Sequence, residues 1–149
     1  PKENIKPTRA SGLPTKTKTA LPYRRYISEG GFVILVGKSS KGNDVLTFKV
    51  SKQDDMWLHA RGTPGSHVII ELEKKKPIPS EALKDAANLA LFYSDLRKSG
   101  KGEVIYTLRK NVRKPKGAKP GSVTVIQEKT IWVYVDQIRL DRLKNSVAS

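Results

Sequence analysis

Beyond Tyr23 the chain is a series of short apolar runs cut by clusters of Gly, Pro, Ser, Asn and Asp. That rhythm predicts strands, with one long helix among them. Residues 32–36 form an unbroken apolar run of strand length, and the polar stretch 37–44 reads as a loop rich in turn formers. Residues 45–50 then read as its hairpin partner. Asp54 and Asp55 open a third strand at 56–60, where Met56, Leu58 and Ala60 share one face and Trp57 and His59 the other. After a turn at 61–65, residues 66–72 alternate again. Val68, Ile70 and Leu72 oppose His67, Ile69 and Glu71.

The period then changes. Leu83, Ala86, Ala87, Ala90 and Tyr93 recur at helical spacing, which predicts a helix over about 80–98. Ser80 is placed to cap it, Glu81 and Asp85 suit its positive end, Arg97 and Lys98 its negative end, and Gly100 its stop. Three more strands are expected at 104–108, 122–126 and 130–135. The fold class is α+β: a mainly antiparallel sheet with one principal helix packed on it. Residues 1–22 hold five cations, one acid and no apolar period, so they read as a basic flexible linker or tail. Residues 23–135 form the domain. Residues 136–149 read as a C-terminal tail with a short helix carrying Ile138, Leu140 and Leu143.

Charge narrows the function. The 149 residues carry 29 Lys+Arg against 14 Asp+Glu, a net charge of +15. Such an excess repels itself on folding and calls for a polyanionic partner. An anionic membrane fits less well, because the longest apolar run is only strand-sized and no basic amphipathic helix stands out. Cysteine is absent, which removes disulfides and thiolate metal sites and suits a reducing, intracellular setting. The start, Pro1-Lys2-Glu3-Asn4, resembles neither an initiator nor a signal peptide, so the chain reads as a piece of something longer.

Three stretches carry candidate chemistry. Residues 109–121 contain Arg109, Lys110, Arg113, Lys114, Lys116 and Lys119 without an acid, and Pro115 and Pro120 bar helix there. On an extended chain Lys114 and Lys116 would stand about 7 Å apart, roughly twice the axial rise per phosphate of one nucleic-acid strand. The bland alternative is a solvated basic loop. Both histidines fall in the second stretch, around the 61–65 turn. There Trp57, His59, Arg61 and His67 could stack on or hydrogen-bond to unpaired bases. Equally, Trp57 could fill a small second core and the histidines satisfy buried groups. A third reading, acid–base or metal chemistry by Asp55, His59 and His67, lacks a further ligand or nucleophile. Residues 37–44 contain Gly-Lys-Ser without the spacing of a nucleotide-phosphate loop, though Lys38 and Lys41 could touch phosphates.

Five of these pieces occur together in one order: Phe32-Val33-Ile34-Leu35-Val36-Gly37, Asn43-Asp44, Asp55-Met56-Trp57-Leu58-His59, Pro64-Gly65-Ser66-His67-Val68, and Lys114-Pro115-Lys116-Gly117-Ala118-Lys119-Pro120-Gly121. Together they resemble the NFACT-R domain, the RNA-binding part of the NFACT family to which bacterial RqcH and eukaryotic NEMF belong. The helix leading to Tyr93-Ser94 and Arg97 is similar too, and the last motif looks closest to the bacterial or plastid branch. The resemblance implies an RNA-binding module of ribosome-associated quality control. It would act on stalled large ribosomal subunits, contact tRNA and large-subunit rRNA, and support C-terminal tailing of the nascent chain. It implies no catalysis by this domain, no cofactor and no metal, a monomer when isolated, and a bacterial cytoplasmic or plastid location. Asn43 joins the candidate base or ribose contacts on the same ground. The first loop departs from the family, with Lys38-Ser39-Ser40-Lys41-Gly42 in place of a more Asn-rich stretch. An adhesin reading, also attached to this family, fits the sequence poorly. The competing classes are a protein-interaction module docking on ribosomal proteins through the Trp57 face, and an RNA-modifying enzyme.

Overall fold

The computed structural model describes residues 21–147, so the expected basic tail lies outside the described residues except for Leu21 and Pro22. One six-stranded antiparallel sheet runs through the molecule in the order β1-β2-β4-β3-β5-β8. Its strands are β1 (Tyr23–Ile27), β2 (Val33–Gly37), β3 (Met56–Ala60), β4 (Val68–Ile70), β5 (Lys101–Leu108) and β8 (Lys129–Tyr134). A separate two-stranded ribbon pairs β6 (Val112–Arg113) with β7 (Thr124–Val125). The α+β expectation therefore holds, with differences among its elements. β1 is an additional strand whose Arg24 and Arg25 break the apolar pattern, and the strand expected at 122–126 shrinks to the ribbon.

Both sheet faces are covered, and alternation along each strand sorts residues between two cores. One face takes Ile34, Val36, Leu58, Val68, Ile70 and Val104 under helix α2 (Ser80–Phe92). Ala82, Ala86, Ala87 and Ala90 are wholly buried there, and their small side chains let α2 lie close to the strands. The other face takes Leu35, Trp57 and Ile69 against Leu46, Val50 and Val112.

That second cover corrects a sequence expectation. Residues 45–50 do not form the expected hairpin strand, and residues 40–44 before them are not a loop. They make helix α1 (Ser40–Val45), continued by a π-helical turn over Leu46–Val50. Ser39 caps it by accepting the Gly42 amide at 3.0 Å, and Ser51 N donates to Leu46 O at the i+5 spacing of a π turn. The β-branched and aromatic residues suggested a strand. The deciding signal was Leu46 and Val50 four apart, which puts both on the sheet.

The main helix also ends early. α2 stops at Phe92 because the 64–66 turn captures the chain: Ser66 N donates to Tyr93 O, and Asp95 N to Pro64 O. A 3-10 turn, Asp95–Ser99, carries on to Gly100, whose φ of 77° ends it as expected. Pro79, not Ser80, is the N-cap, and no side chain caps it.

The C-terminal helix forms as α3 (Gln137–Ser146) and docks on α2. Leu140 and Leu143 are buried, while Ile138 is 84% exposed. Its anchor is electrostatic. Asp85 is fully buried on α2 and accepts from Arg139 Nη1 at 2.6 Å, Arg142 Nη2 at 2.7 Å and the Glu29 amide at 3.0 Å. Burial pushes the Asp85 carboxyl up, but Arg142, the Glu29 amide and Arg139 outweigh it and hold the group below its ordinary value. Removing one partner of such a cluster strands the others. We expect Asp85→Ala to lower the unfolding free energy by about 3–5 kcal/mol in urea titrations. A loss under about 1 kcal/mol, the size of a surface pair, would contradict this account.

Candidate nucleic-acid interface

Residues 109–121 are not the extended cationic track that their prolines suggested. Arg109–Asn111 form a 3-10 turn, β6 follows, and the remainder folds through two tight turns. Ala118 N donates to Pro115 O, and Ser122 N to Lys119 O, each at 3.0 Å. Gly117 and Gly121, with φ of 79° and 85°, supply the left-handed positions.

The loop is tied down at its centre. Asp44 on α1 accepts the Gly121 amide at 3.0 Å and the Lys114 ammonium at 3.1 Å. Lys114 Nζ donates also to Ser122 O at 3.0 Å and to Lys119 O. From the sheet side, His67 Nε2 donates to Gly121 O at 3.1 Å. A carbonyl partner requires the proton on Nε2, so Nδ1 accepts from the Thr47 hydroxyl at 2.8 Å. His67 is thereby a neutral strut between helix, sheet and loop. Burial and the neighbouring His59 push its pKa down to about 4, against the Gly121 bond.

These bonds sort the sequence candidates. Lys114 closes the loop and is not free for phosphate. Arg109 is internal as well: its guanidinium lies 4.7 Å over the Phe48 ring, and Nε donates to Thr47 O within the π turn. Lys110 is half-exposed and stands 4.0 Å from Asp54. Arg113, Lys116 and Lys119 are exposed and form no ion pair among the described residues. Gly121 packs so close to Ser40 that an added Cβ would lie 3.4 Å from it. This contact sets Lys38 and Lys41, both exposed, beside the loop. The five exposed cations lie on two segments, about 75 residues apart in sequence, that meet where Gly121 touches Ser40.

The base-contact candidates fare differently. Stacking on a base needs an open ring face, and Trp57 is 1% exposed in the second core, so it cannot serve. His67 is buried as described. Asn43 is buried too: Oδ1 accepts the His67 amide at 3.0 Å and Nδ2 donates to Gly65 O. A Cβ on Gly37 would collide with that amide, which explains the glycine. His59 remains half-buried, stacked on Trp57 with ring centroids 5.8 Å apart, and burial lowers its pKa. Arg61 is exposed and paired with Glu103 at 3.1 Å.

Of the Asp55, His59 and His67 grouping, the two imidazoles meet edge to face with ring centroids 5.6 Å apart, while Asp55 is engaged by backbone amides. Asp55 is fully buried and accepts the Lys52 amide at 2.8 Å and the Leu72 amide at 3.1 Å. Among the described residues no group of three or more His, Asp or Glu could hold a metal ion. Sequence reading missed Asp44 and Thr47, whose role depends on α1 being helical. The Asn43-Asp44 motif was the available signal.

The neutral strut has a pH signature. His67 keeps a folded pKa near 4 against 6.5 ordinarily, so between those values the unfolded chain binds the extra proton. Stability is full above pH 6.5 and falls as pH drops to 4, with His67 contributing on the order of 3 kcal/mol. In urea titrations at pH 7.0, 5.5 and 4.5, His67→Gln should show a shallower decline than the parent. An identical slope would refute the neutral-imidazole assignment.

A family model described as the NFACT protein RNA binding domain matches residues 22–127. Among curated proteins, the Rqc2 homolog RqcH of Bacillus subtilis (strain 168) is 39% identical over 121 residues, covering 81% of this chain and 21% of that protein. The Rqc2 homolog RqcH of Streptococcus suis (strain 05ZYH33) is 39% identical over 128 residues, covering 85% and 23%. The chain therefore spans about a fifth of the curated relatives it matches. A solved structure, the C-terminal part of the fibronectin/fibrinogen-binding protein from Streptococcus suis, superposes with a TM-score of 0.75 at 38% identity over 84% of this chain and 49% of that one. The family model covers most of the chain, relatives share well over a third of its aligned residues, and a solved domain has the same fold: the chain belongs to the NFACT RNA-binding domain family.

Proposed function

We propose that this chain is an RNA-binding module whose contact surface is the junction of Arg113, Lys116 and Lys119 with Lys38 and Lys41. One observation carries the reading: Asp44, Lys114 and His67 hold the loop rigid while leaving the remaining cations exposed. A pre-shaped cationic surface loses little entropy on meeting a polyphosphate, and backbone contacts of this kind position a strand without reading its sequence. His59 on β3 and Arg61 on the turn after it are the remaining base or ribose candidates, with Lys110 a further phosphate candidate.

The finer reading follows the relatives. As part of an RqcH-like factor in ribosome-associated quality control, the module contacts large-subunit rRNA or tRNA on stalled subunits and supports C-terminal tailing of the nascent chain. On this reading it is a monomeric binding domain in a bacterial cytoplasm or plastid, and any catalysis lies elsewhere. A second contact, with a protein, is favoured by one feature. Trp132 and Tyr134 are 53% and 64% exposed on edge strand β8, replacing the buried Trp57 as the apolar surface a protein could use. Ribosome association that survives ribonuclease would favour that contact.

Salt titration tests the main reading. With five phosphates neutralised on single-stranded RNA, log K should fall against log salt with a slope of about −3.5. Replacing Arg113, Lys116 and Lys119 together by Gln should flatten it to about −1.4 and weaken unrelated RNA sequences alike. A parent slope near zero sinks the proposal.

A further inference from the structure

A second group of cations lies on the other side of Lys38. Arg24 and Arg25 from β1, Lys38 from the turn before α1, and Lys144 from the last turn of α3 surround a cleft of about 560 Å3 floored by Tyr26 and Tyr93. No acidic side chain lines it. None of the four cations forms an ion pair among the described residues, whereas Arg139 and Arg142 of the same helix are both bound to Asp85. The α3 acids point to other work: Asp141 accepts from Gln137.

The cleft is built rather than incidental. The Arg24 guanidinium sits 5.0 Å over the Tyr93 ring, and the Tyr93 hydroxyl is hydrogen-bonded to that of Tyr26 at 2.5 Å. Arg24 is thus held against an aromatic support, and no hydrogen bond among the described residues uses its N–H fork. A planar guanidinium fixed this way suits two oxygens of one phosphate, and its open plane suits a base. The Asp85 cluster holds α3, and hence Lys144, against this edge. Lys38 and Tyr93 also line a neighbouring cleft of about 390 Å3, where Ser40 meets the Gly121 end of the loop and Arg97 covers the Phe92 ring. Lys38 thus lines both clefts, the smaller of which also holds Asp95 and Arg97, and it links the loop end at Ser40 to the β1 edge.

We propose that the Arg24, Arg25 and Lys144 cleft is a second RNA-backbone site, so that a single strand leaves the loop, crosses Lys38 and binds phosphates at the sheet edge. The proposal rests on the RNA-binding reading above and extends its footprint to a separate face.

Amine footprinting on the 149-residue chain separates the two. Lysine acylation, read by mass spectrometry with and without a single-stranded RNA of about 30 nucleotides (long enough to span both sites at its strand spacing), should slow at Lys144 as well as at Lys116 and Lys119. Slowing at Lys116 and Lys119 alone would overturn the second site and leave the main reading standing. No slowing at any of the three overturns both. On an RNA long enough to span both sites the parent neutralises about eight phosphates, for a slope of about −5.6. The variant Arg24→Gln/Arg25→Gln/Lys144→Gln should lose about 50-fold in affinity at 0.15 M salt and return to a slope of about −3.5. These side chains are at the surface, so its melting curve should match the parent's, and if it fails to fold the footprint on the parent decides alone. Retained RNA affinity with lost binding to vesicles rich in phosphatidylserine would overturn the proposal in favour of a lipid surface.

Discussion

The Asp44 carboxylate, about a quarter exposed, sits where three separately built parts of the molecule meet. It takes an amide and an ammonium from the loop while standing on a helix that covers the second sheet face. Remove that charge and Lys114 loses its counterion in a half-buried place, Gly121 loses its acceptor, and the His67 bond has only a loose segment to hold. The glycine is needed for the same reason, because its left-handed φ turns both its amide and its carbonyl inward. Everything cationic around the junction depends on this inward anchoring. Without it the loop would be a solvated string of lysines, the bland alternative that composition alone permits.

How much of this was legible followed from how local each determinant is. Strand β2 announced itself as an unbroken apolar run and β3 and β4 by alternation, and the face assignments of Met56 to Ala60 and of Val68 to Leu72 match the two cores. Their periodicity is a property of consecutive residues. The failures needed partners far along the chain. Val45 to Val50 look β-forming, yet Ser39 starts a helix and the sheet selects Leu46 and Val50 by their helical spacing. Trp57 and His67 looked like contact residues because polar aromatics in a turn-rich stretch are ambiguous, and only the cover over them decides. Lys114 is chemically indistinguishable from Lys116 in sequence. What separates them is Asp44, seventy positions away. Arg24 and Lys144 met no notice, since nothing in either segment says that β1 and α3 will adjoin.

Charge was the most reliable signal from sequence and is also sharpened by the fold. Asp55 and Asp85 are wholly buried and Asp44 mostly so, each bound to amides or cations of the protein itself. Other acids sit in exposed pairs with Lys76, Lys84 and Arg61. Several acids are thus drawn into the framework or matched locally, although Glu29, Asp95 and Glu128 stay exposed without an ion pair among the described residues. The loop, the α1 turn and the β1 edge keep unmatched cations. The exposed side chains of the loop and of β1 are therefore left cationic.

Such a surface has a cost that a purely structural role would not require. Like charges gathered at one edge destabilise the folded chain, and the screening length of about 8 Å at physiological salt removes only part of the repulsion between near neighbours. The fold could have relieved it with an exposed acid inside the loop, which has none between Arg109 and Gly121. Instead the loop is braced from within by Asp44 and His67, and the edge by Asp85 through its two arginines, both on the protein side of the cations. Bracing from within holds like charges together without neutralising their outer side. A polyanion that docks there releases bound counterions and relieves the repulsion at once, with the protein already in shape. The internal acids therefore do for the free domain what RNA phosphates are expected to complete from outside, and the two sets of contacts do not compete for the same nitrogen atoms.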